Sequence, residues 1–232
     1  MFIGLGLLVG LLFYQSPEPI IVLKGSGGLS VDRYASDAQA LLSGSLLNST
    51  KLTLRRSAIE NEMRIRFPEL QSVRVESDVL GRRPTFILAA EDILFRMRTE
   101  AETVMIGSSG RIVGYEADFP RVSNTLQLID ESGIDQSIGT LVMRSDDAMF
   151  LNRAREIIAL KGRGVDYIRI TEVPREAYIK PSDRSYQVRV YLDDSVEEQL
   201  GAWFLTEKTL EGRGEGVAQY IDVRAGEKVF VL

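Results

Sequence analysis

Apolar and polar positions alternate most cleanly at the end of the chain. In Gln219-Tyr220-Ile221-Asp222-Val223-Arg224, Ile221 and Val223 alternate with polar neighbours, the period of two expected of a half-buried strand. Ala225-Gly226-Glu227 forms a short turn, and Lys228-Val229-Phe230-Val231 resumes as a second strand. A strand this late is often added at the margin of a sheet, where unpaired backbone donors and acceptors are open to a partner's strand. The same pattern describes a terminal hairpin that merely closes the fold, and on pattern alone that is the commoner case.

Upstream, Ile20-Ile21-Val22-Leu23 reads as a short strand broken by Gly25-Ser26-Gly27-Gly28. That glycine cluster has neither the Lys-Ser/Thr ending of a phosphate loop nor dinucleotide spacing, and reads as a turn. Ser30 precedes a helix with Val31, Tyr34, Ala35, Ala38, Leu41 and Leu42 on one face. A second helix is predicted from about Thr53 to Phe67, stopped by Pro68, although Ser57-Ala58-Ile59-Glu60 fits a capping box one turn later. Strands follow at Ser72–Glu76 and Thr85–Ala89, completing the order strand, helix, helix, strand, strand.

From Arg96 the chain predicts short strands around turns: Val104–Ile106 and Arg111–Val113 about Gly107-Ser108-Ser109-Gly110, then Thr125–Ile129. A helix is predicted between Ser145 and Lys161, ended by Gly162, and then strands at Tyr167–Ile170 and Tyr186–Leu192. Ser195-Val196-Glu197-Glu198 opens a last helix buried through Val196, Leu200, Trp203, Phe204 and Leu210, and Gly212–Gly216 is a loop.

The N-terminal run Phe2–Tyr14 is uncharged and holds three glycines. It is shorter than the roughly 20 apolar residues of a spanning helix and lacks the basic leader and cleavage site of a secretory signal. It suits either an apolar core helix or the outer part of a membrane anchor that begins upstream. The aromatic pair Phe13 and Tyr14 and the Pro17-Glu18-Pro19 exit favour the anchor.

Composition narrows the chemistry. The 232 residues carry a net charge of −5 with dispersed Lys and Arg, which argues against nucleic acid. There is no Cys and no His, which removes Cys nucleophiles, His bases, Ser-His-Asp triads, disulfides and the usual zinc sites. The acidic pairs Glu91-Asp92, Asp146-Asp147, Asp193-Asp194 and Glu197-Glu198 are adjacent, so their carboxylates diverge. Asp146, Asp147, Glu197 and Glu198 fit the positive ends of helix dipoles. Asn48-Ser49-Thr50 matches a glycosylation sequon, and an Asn there also suits a turn. No catalytic, metal or cofactor constellation is read, and a non-enzyme is expected.

The order of elements resembles the FtsQ/DivIB family of bacterial division proteins. The resemblance rests on an N-terminal anchor before a POTRA-like βααββ module with Phe67-Pro68-Glu69-Leu70-Gln71-Ser72-Val73-Arg74-Val75. It rests also on Ala89-Ala90-Glu91 followed by Val104–Arg111, with Gly107 in place of the family's Asp, and on the terminal Tyr220–Arg224 and Val229–Val231 hairpin. It implies an α+β protein: a transmembrane anchor over residues 1–15, a POTRA-like domain over 16–92, and a C-terminal mixed α/β-sheet domain over 93–232 ending in a β-hairpin. It further implies a single-pass protein of the bacterial cell membrane with its folded domains extracytoplasmic. Such a protein is a non-catalytic divisome scaffold that binds FtsB/FtsL-like (DivIC/FtsL-like) partners by strand addition and links septal wall synthesis to the division site. Other divisome components are expected on the POTRA-like domain. The motif assigns partner contacts to Tyr220, Asp222, Arg224, Ala225, Val229, Phe230 and Val231, with Ile221 and Val223 in the core. Asp222 and Arg224, two residues apart on one face, either meet the partner or pair with each other or a neighbouring strand. The competing expectations are a POTRA-type module of an outer-membrane assembly or secretion system, an extracytoplasmic Ser/Lys/carboxylate enzyme with a deep charged pocket, and a small-ligand sensor with a closed apolar cavity.

Overall fold

The structure is a computed structural model that describes residues 13–78, 81–100, 102–122, 125–133, 136–225 and 228–232. The chain divides into two compact units, Met1–Asp92 and Ile93–Leu232.

The first unit is a three-stranded sheet in the order β1-β3-β2, built from β1 (Ile20–Lys24), β2 (Leu70–Glu76) and β3 (Thr85–Ala90). Helices α1 (Val31–Ser43) and α2 (Arg56–Arg66) belong to the same unit. Its core joins Tyr34, Ala38 and Leu42 of α1 and Ile59 and Met63 of α2 to Val73, Val75, Phe86 and Leu88 of the sheet. These residues recur at helical spacing in α1 and α2 and at spacing two in the strands, so burial follows directly from the pattern. The Tyr34 hydroxyl is buried too; it donates to Glu69 (2.8 Å) and accepts from the Leu29 amide (2.8 Å). Burial foremost, and the neighbouring Glu69 charge next, push its pKa well above the usual tyrosine range.

Helix α2 begins at Arg56, a turn later than the apolar pattern alone suggests. Residues 46–55 are instead organised by Asn48. It is buried, its side-chain amide donates to the Leu41 carbonyl (3.0 Å), and its side-chain oxygen accepts from the Arg55 amide (3.4 Å). The sequon is therefore a loop clamp with its nitrogen already engaged.

The anchor expectation is overturned. Among the described residues no helix is long and apolar enough to cross a membrane, so neither the transmembrane anchor over 1–15 nor a single-pass membrane placement is supported. Residues 1–12 lie outside the described residues. The aromatic pair read as a bilayer boundary joins the first unit instead. Tyr14 bridges Thr50, the Gln15 amide donates to the Ser49 carbonyl (2.9 Å), and the Phe13 carbonyl accepts from Lys51 (3.0 Å).

The second unit is a nine-stranded sheet in the order β12-β11-β10-β9-β8-β7-β4-β5-β6. Its strands are β4 (Ile93–Arg98), β5 (Thr103–Gly107), β6 (Ile112–Tyr115), β7 (Leu126–Asp130), β8 (Val165–Ile170), β9 (Glu176–Pro181), β10 (Gln187–Tyr191), β11 (Tyr220–Ala225) and β12 (Lys228–Val231). Helices α3 (Ser145–Leu160) and α4 (Val196–Arg213) join them. Ile168, Ile170, Ala177, Ile179, Val188, Val190, Ile221 and Val223 meet Ala148, Leu151, Ala154 and Ile158 of α3 and Leu200 and Trp203 of α4 in one core. Alternate residues of those strands face the other way and are polar. Two strands, β4 and β9, escape the simple apolar pattern. β9 follows Arg175, held in the left-handed region at φ 65°, and ends on Pro181, so its flanks read as turn.

Candidate functional site: the edge strand β12

β12 pairs antiparallel with β11, Ile221 opposite Val231 and Asp222 opposite Phe230. β11 in turn lies parallel to β10, with Val188 opposite Ile221. β12 is therefore the outermost strand, and among the described residues no strand pairs with its outer side.

The exposed backbone groups follow from the register. Tyr220 and Leu232 exchange bonds, the Leu232 amide to the Tyr220 carbonyl (3.1 Å) and the Tyr220 amide to the Leu232 carbonyl (3.4 Å). In an antiparallel ladder such residues alternate with residues whose N–H and C=O point away. Phe230 thus faces β11, while Val229 and Val231 direct their backbone groups outward. Their side chains take the core side, where Val229 packs, whereas Phe230 stands 57% exposed on the polar side. A short edge strand with two outward residues and an uncovered aromatic is suited to accept a further strand.

The opposite margin of the sheet is treated differently. Beside β6, the Ile112 amide donates to the Thr140 carbonyl (3.0 Å) and its carbonyl accepts from Gly139 (2.8 Å). Arg111 also bridges Leu141. The protein's own residues 139–142 thus occupy the start of that edge.

The remaining expected contact residues sit inward of the edge. Tyr220, half-buried at the start of β11, stands edge-on to Tyr178 with ring centroids 6.3 Å apart. Ala225 ends β11 opposite Lys228. Asp222 and Arg224 are paired to each other: Arg224 donates from Nε to Oδ1 (2.9 Å) and from Nη2 to Oδ2 (2.7 Å), a two-pronged bond of fixed geometry. Both also engage the neighbouring strands. Arg224 and Arg189 each bond Glu176, and Arg189 approaches Asp222 at 3.6 Å. The group holds two guanidiniums and two carboxylates, with Glu176 and Asp222 both buried, so its charge is balanced internally. It pins the orientation of β11 against β9 and β10 and brings no net charge to the edge. Glu176 and Arg189 were not singled out from the sequence. The polar alternation of β10 marks Arg189, but nothing local connects it to a carboxylate 13 residues upstream.

Tyr178 also lies beneath two guanidiniums, Arg169 at 4.3 Å and Arg189 at 5.4 Å from its ring. Arg169 continues outward to Glu131 (2.9 Å) and Gln187 (2.8 Å). The polar face from β8 to β11 is thus cross-linked by its own side chains and presents β12 on a rigid support.

One charged hollow lies elsewhere, lined by Lys161, Arg163, Phe204, Glu207, Lys208 and Glu211. The buried Glu207 accepts from Arg184 and Tyr186 and ion-pairs with Arg163 at 2.6 Å. Trp203 Nε1 donates to the Tyr186 hydroxyl (3.1 Å). Burial alone raises the Glu207 pKa, but the bonds from Arg184, Tyr186 and Arg163 outweigh it and hold the carboxyl below the usual range. Burial, then the bond to Glu207, push Tyr186 up to about 12. A carboxylate saturated by two arginines and a phenol that resists ionisation are ill suited to proton transfer, and the cluster ties α4 to the segments that lead into β8 and β10. The acidic pairs are similarly engaged: Asp147 is buried and ion-paired with Arg144 (3.3 Å) and Arg175 (3.5 Å), and Glu197 with Arg153 (3.1 Å). Among the described residues no group of three or more acidic side chains could hold a metal ion. No protein-family model matches the chain, and no curated protein matches it significantly.

Proposed function

We propose that this chain is a non-catalytic docking protein of the FtsQ/DivIB type. It captures an extended segment of an FtsB/FtsL-like partner by strand addition along β12, and in that role it ties septal wall synthesis to the division site. The observation that supports this reading best is the contrast between the sheet's two margins. One edge is occupied at its start by the protein's own residues 139–142, and the other carries the motif residues Val229, Phe230 and Val231 on an outermost strand. The added strand would bond the outward groups of Val229 and Val231 and set its own side chains beside Phe230. Affinity would come mainly from the main chain, and selectivity from the alternate side chains.

The register selects the test. Val231→Pro removes an amide that points outward and leaves the bonds to β11 in place, a position at which an edge strand tolerates proline. Ile221 is fully buried between β10 and β12, so proline there would damage the fold and reveal nothing about capture. Calorimetric titration with synthetic peptides tiling the FtsB- and FtsL-type proteins of the same genome should identify one extended binder. Its affinity should fall by about tenfold or more in Val231→Pro, through a lost hydrogen bond and a steric block, and stay unchanged in Leu205→Ser, on the exposed surface of α4. Undiminished binding by a well-folded Val231→Pro protein would refute strand addition at this edge.

A further inference from the structure

The loop before α2 carries its polarity inside out. Asn48 is buried, while Leu46 and Leu52 stand 91% and 74% exposed and Leu47 is exposed beside them. Loops that face water ordinarily show the reverse. The polar side chains of this loop bond its own backbone instead. The Leu47 amide donates to Ser45 Oγ (3.3 Å), Ser49 Oγ to the Leu46 carbonyl (2.6 Å) and Thr53 Oγ1 to the Leu47 carbonyl (2.5 Å), in addition to the two bonds of Asn48. Phe13 and Tyr14 join the same tip: backbone contacts with residues 49–51 fix them there, and both rings remain exposed. Charge is sorted in the same place. From Ala38 to Ile59 there is no Asp or Glu, yet that stretch holds Lys51, Arg55 and Arg56, in a chain whose net charge is −5. Arg55 and Arg56 are exposed at the start of α2, the end of a helix that favours carboxylates, so helix stability does not account for them.

We propose that this tip is a lipid-surface contact: Leu46, Leu47 and Leu52 seat in the interface of a bilayer that carries acidic phospholipid, with Lys51, Arg55 and Arg56 over the headgroup phosphates. Four observations select lipid over a protein partner. The leucines project from the loop, and a fluid bilayer accepts projecting side chains, whereas a protein would have to present a matching pocket for each. Lipid chains offer no hydrogen bonds to an inserted loop, and the polar side chains of this one already bond its backbone. The three cations complement acidic headgroups, each strengthening the contact by about fivefold. The uncharged run Phe2–Leu12, too short to span a bilayer, leads into the tip at Phe13 and brings more apolar chain to the same place. Such a contact engages one leaflet and requires no spanning helix. It is independent of capture at β12, which belongs to the other unit.

Co-sedimentation of the full chain with vesicles tests this. The wild type should bind vesicles containing phosphatidylglycerol, and should bind pure phosphatidylcholine vesicles about tenfold or more weakly. Leu46→Ser combined with Leu52→Ser should lower the affinity for acidic vesicles by about tenfold or more. Both leucines are exposed, so the denaturation midpoint of that variant should not move. Arg55→Gln combined with Arg56→Gln should lose about tenfold or more on acidic vesicles and nothing on neutral ones. The contact can also be located directly, because the chain has no cysteine and Leu52→Cys or Ile65→Cys can each carry a single environment-sensitive dye. The dye at 52 should shift to the blue on adding acidic vesicles, and the dye at 65, near the other end of α2, should not. Val231→Pro should bind vesicles like the wild type. A wild-type chain that ignores acidic vesicles would overturn the proposal and leave the tip to a protein partner. Undiminished binding by the double leucine variant, or equal shifts of the two dyes, would overturn it as well, by placing the contact outside this loop.

Discussion

Replacing Glu207 by Gln is expected to destabilise the second unit by about 3 kcal/mol at neutral pH, the scale of breaking a buried ion pair. The exchange keeps the volume and removes only the charge, so Arg163 and Arg184 would remain partly buried beside a neutral amide. A pH profile separates this from a general packing defect. The Glu207 carboxyl is held below its usual range in the fold. Its contribution is therefore complete above the unfolded value of about 4.3 and is lost as pH falls below it toward the depressed folded value. Chemical denaturation of the wild-type chain should show that acid loss, and in Glu207→Gln this part of the acid limb should be absent. Tyr186 runs the other way, since its folded value is raised to about 12. Its contribution holds below the unfolded value of about 10 and is lost as pH climbs toward 12. An unchanged acid limb in Glu207→Gln would show that the carboxylate does not couple folding to pH.

Much of this architecture is legible in sequence because it is local. Pro68 sets the end of α2, Gly162 follows α3, and the alternation of Val188, Val190, Ile221 and Val223 identifies β10 and β11 with their buried face. What stays hidden is non-local. That β11 lies parallel to β10, some thirty residues away in sequence, is a property of the assembled sheet. The outermost position of β12 is likewise decided by which strands its neighbours accept. The spacing of Asp222 and Arg224 raises the prospect of a pair, but Glu176 enters the same group only because β9 places it across from Tyr191. β9 itself is masked by Arg175 and Pro181 at its ends. The apolar N-terminal run misleads for a related reason: its aromatic end pairs with residues 49–51, and no periodicity announces a partner that far along the chain.

Gly110→Ala should cost at least about 2 kcal/mol and, more tellingly, should open the closed end of the large sheet. Gly110 adopts φ +78°, where any side chain costs roughly 1–2 kcal/mol. A Cβ built there would lie 2.0 Å from the Met143 carbonyl oxygen, a backbone atom that cannot yield without moving its segment. That segment is the one covering β6. The Gly110 carbonyl accepts from the Val142 amide (2.9 Å), and residues 139–140 bond Ile112 on either side. Relieving the overlap therefore means lifting residues 139–143 away and exposing the outward groups of Ile112, so the covered start of the β6 margin opens. Gly162→Ala isolates the conformational penalty, because Gly162 has a similar φ of +74° with nothing within 4 Å of the added methyl. The alanine at 162 should lower stability by about 1–2 kcal/mol and leave association unchanged. The alanine at 110 should lower it further, speed amide exchange at Ile112 and Val142, and raise light scattering on warming as uncovered edges meet. If the two variants lose equal stability and scatter alike, the segment over β6 is not held in place by Gly110, and closure of that edge must come from the contacts of Ile112 alone.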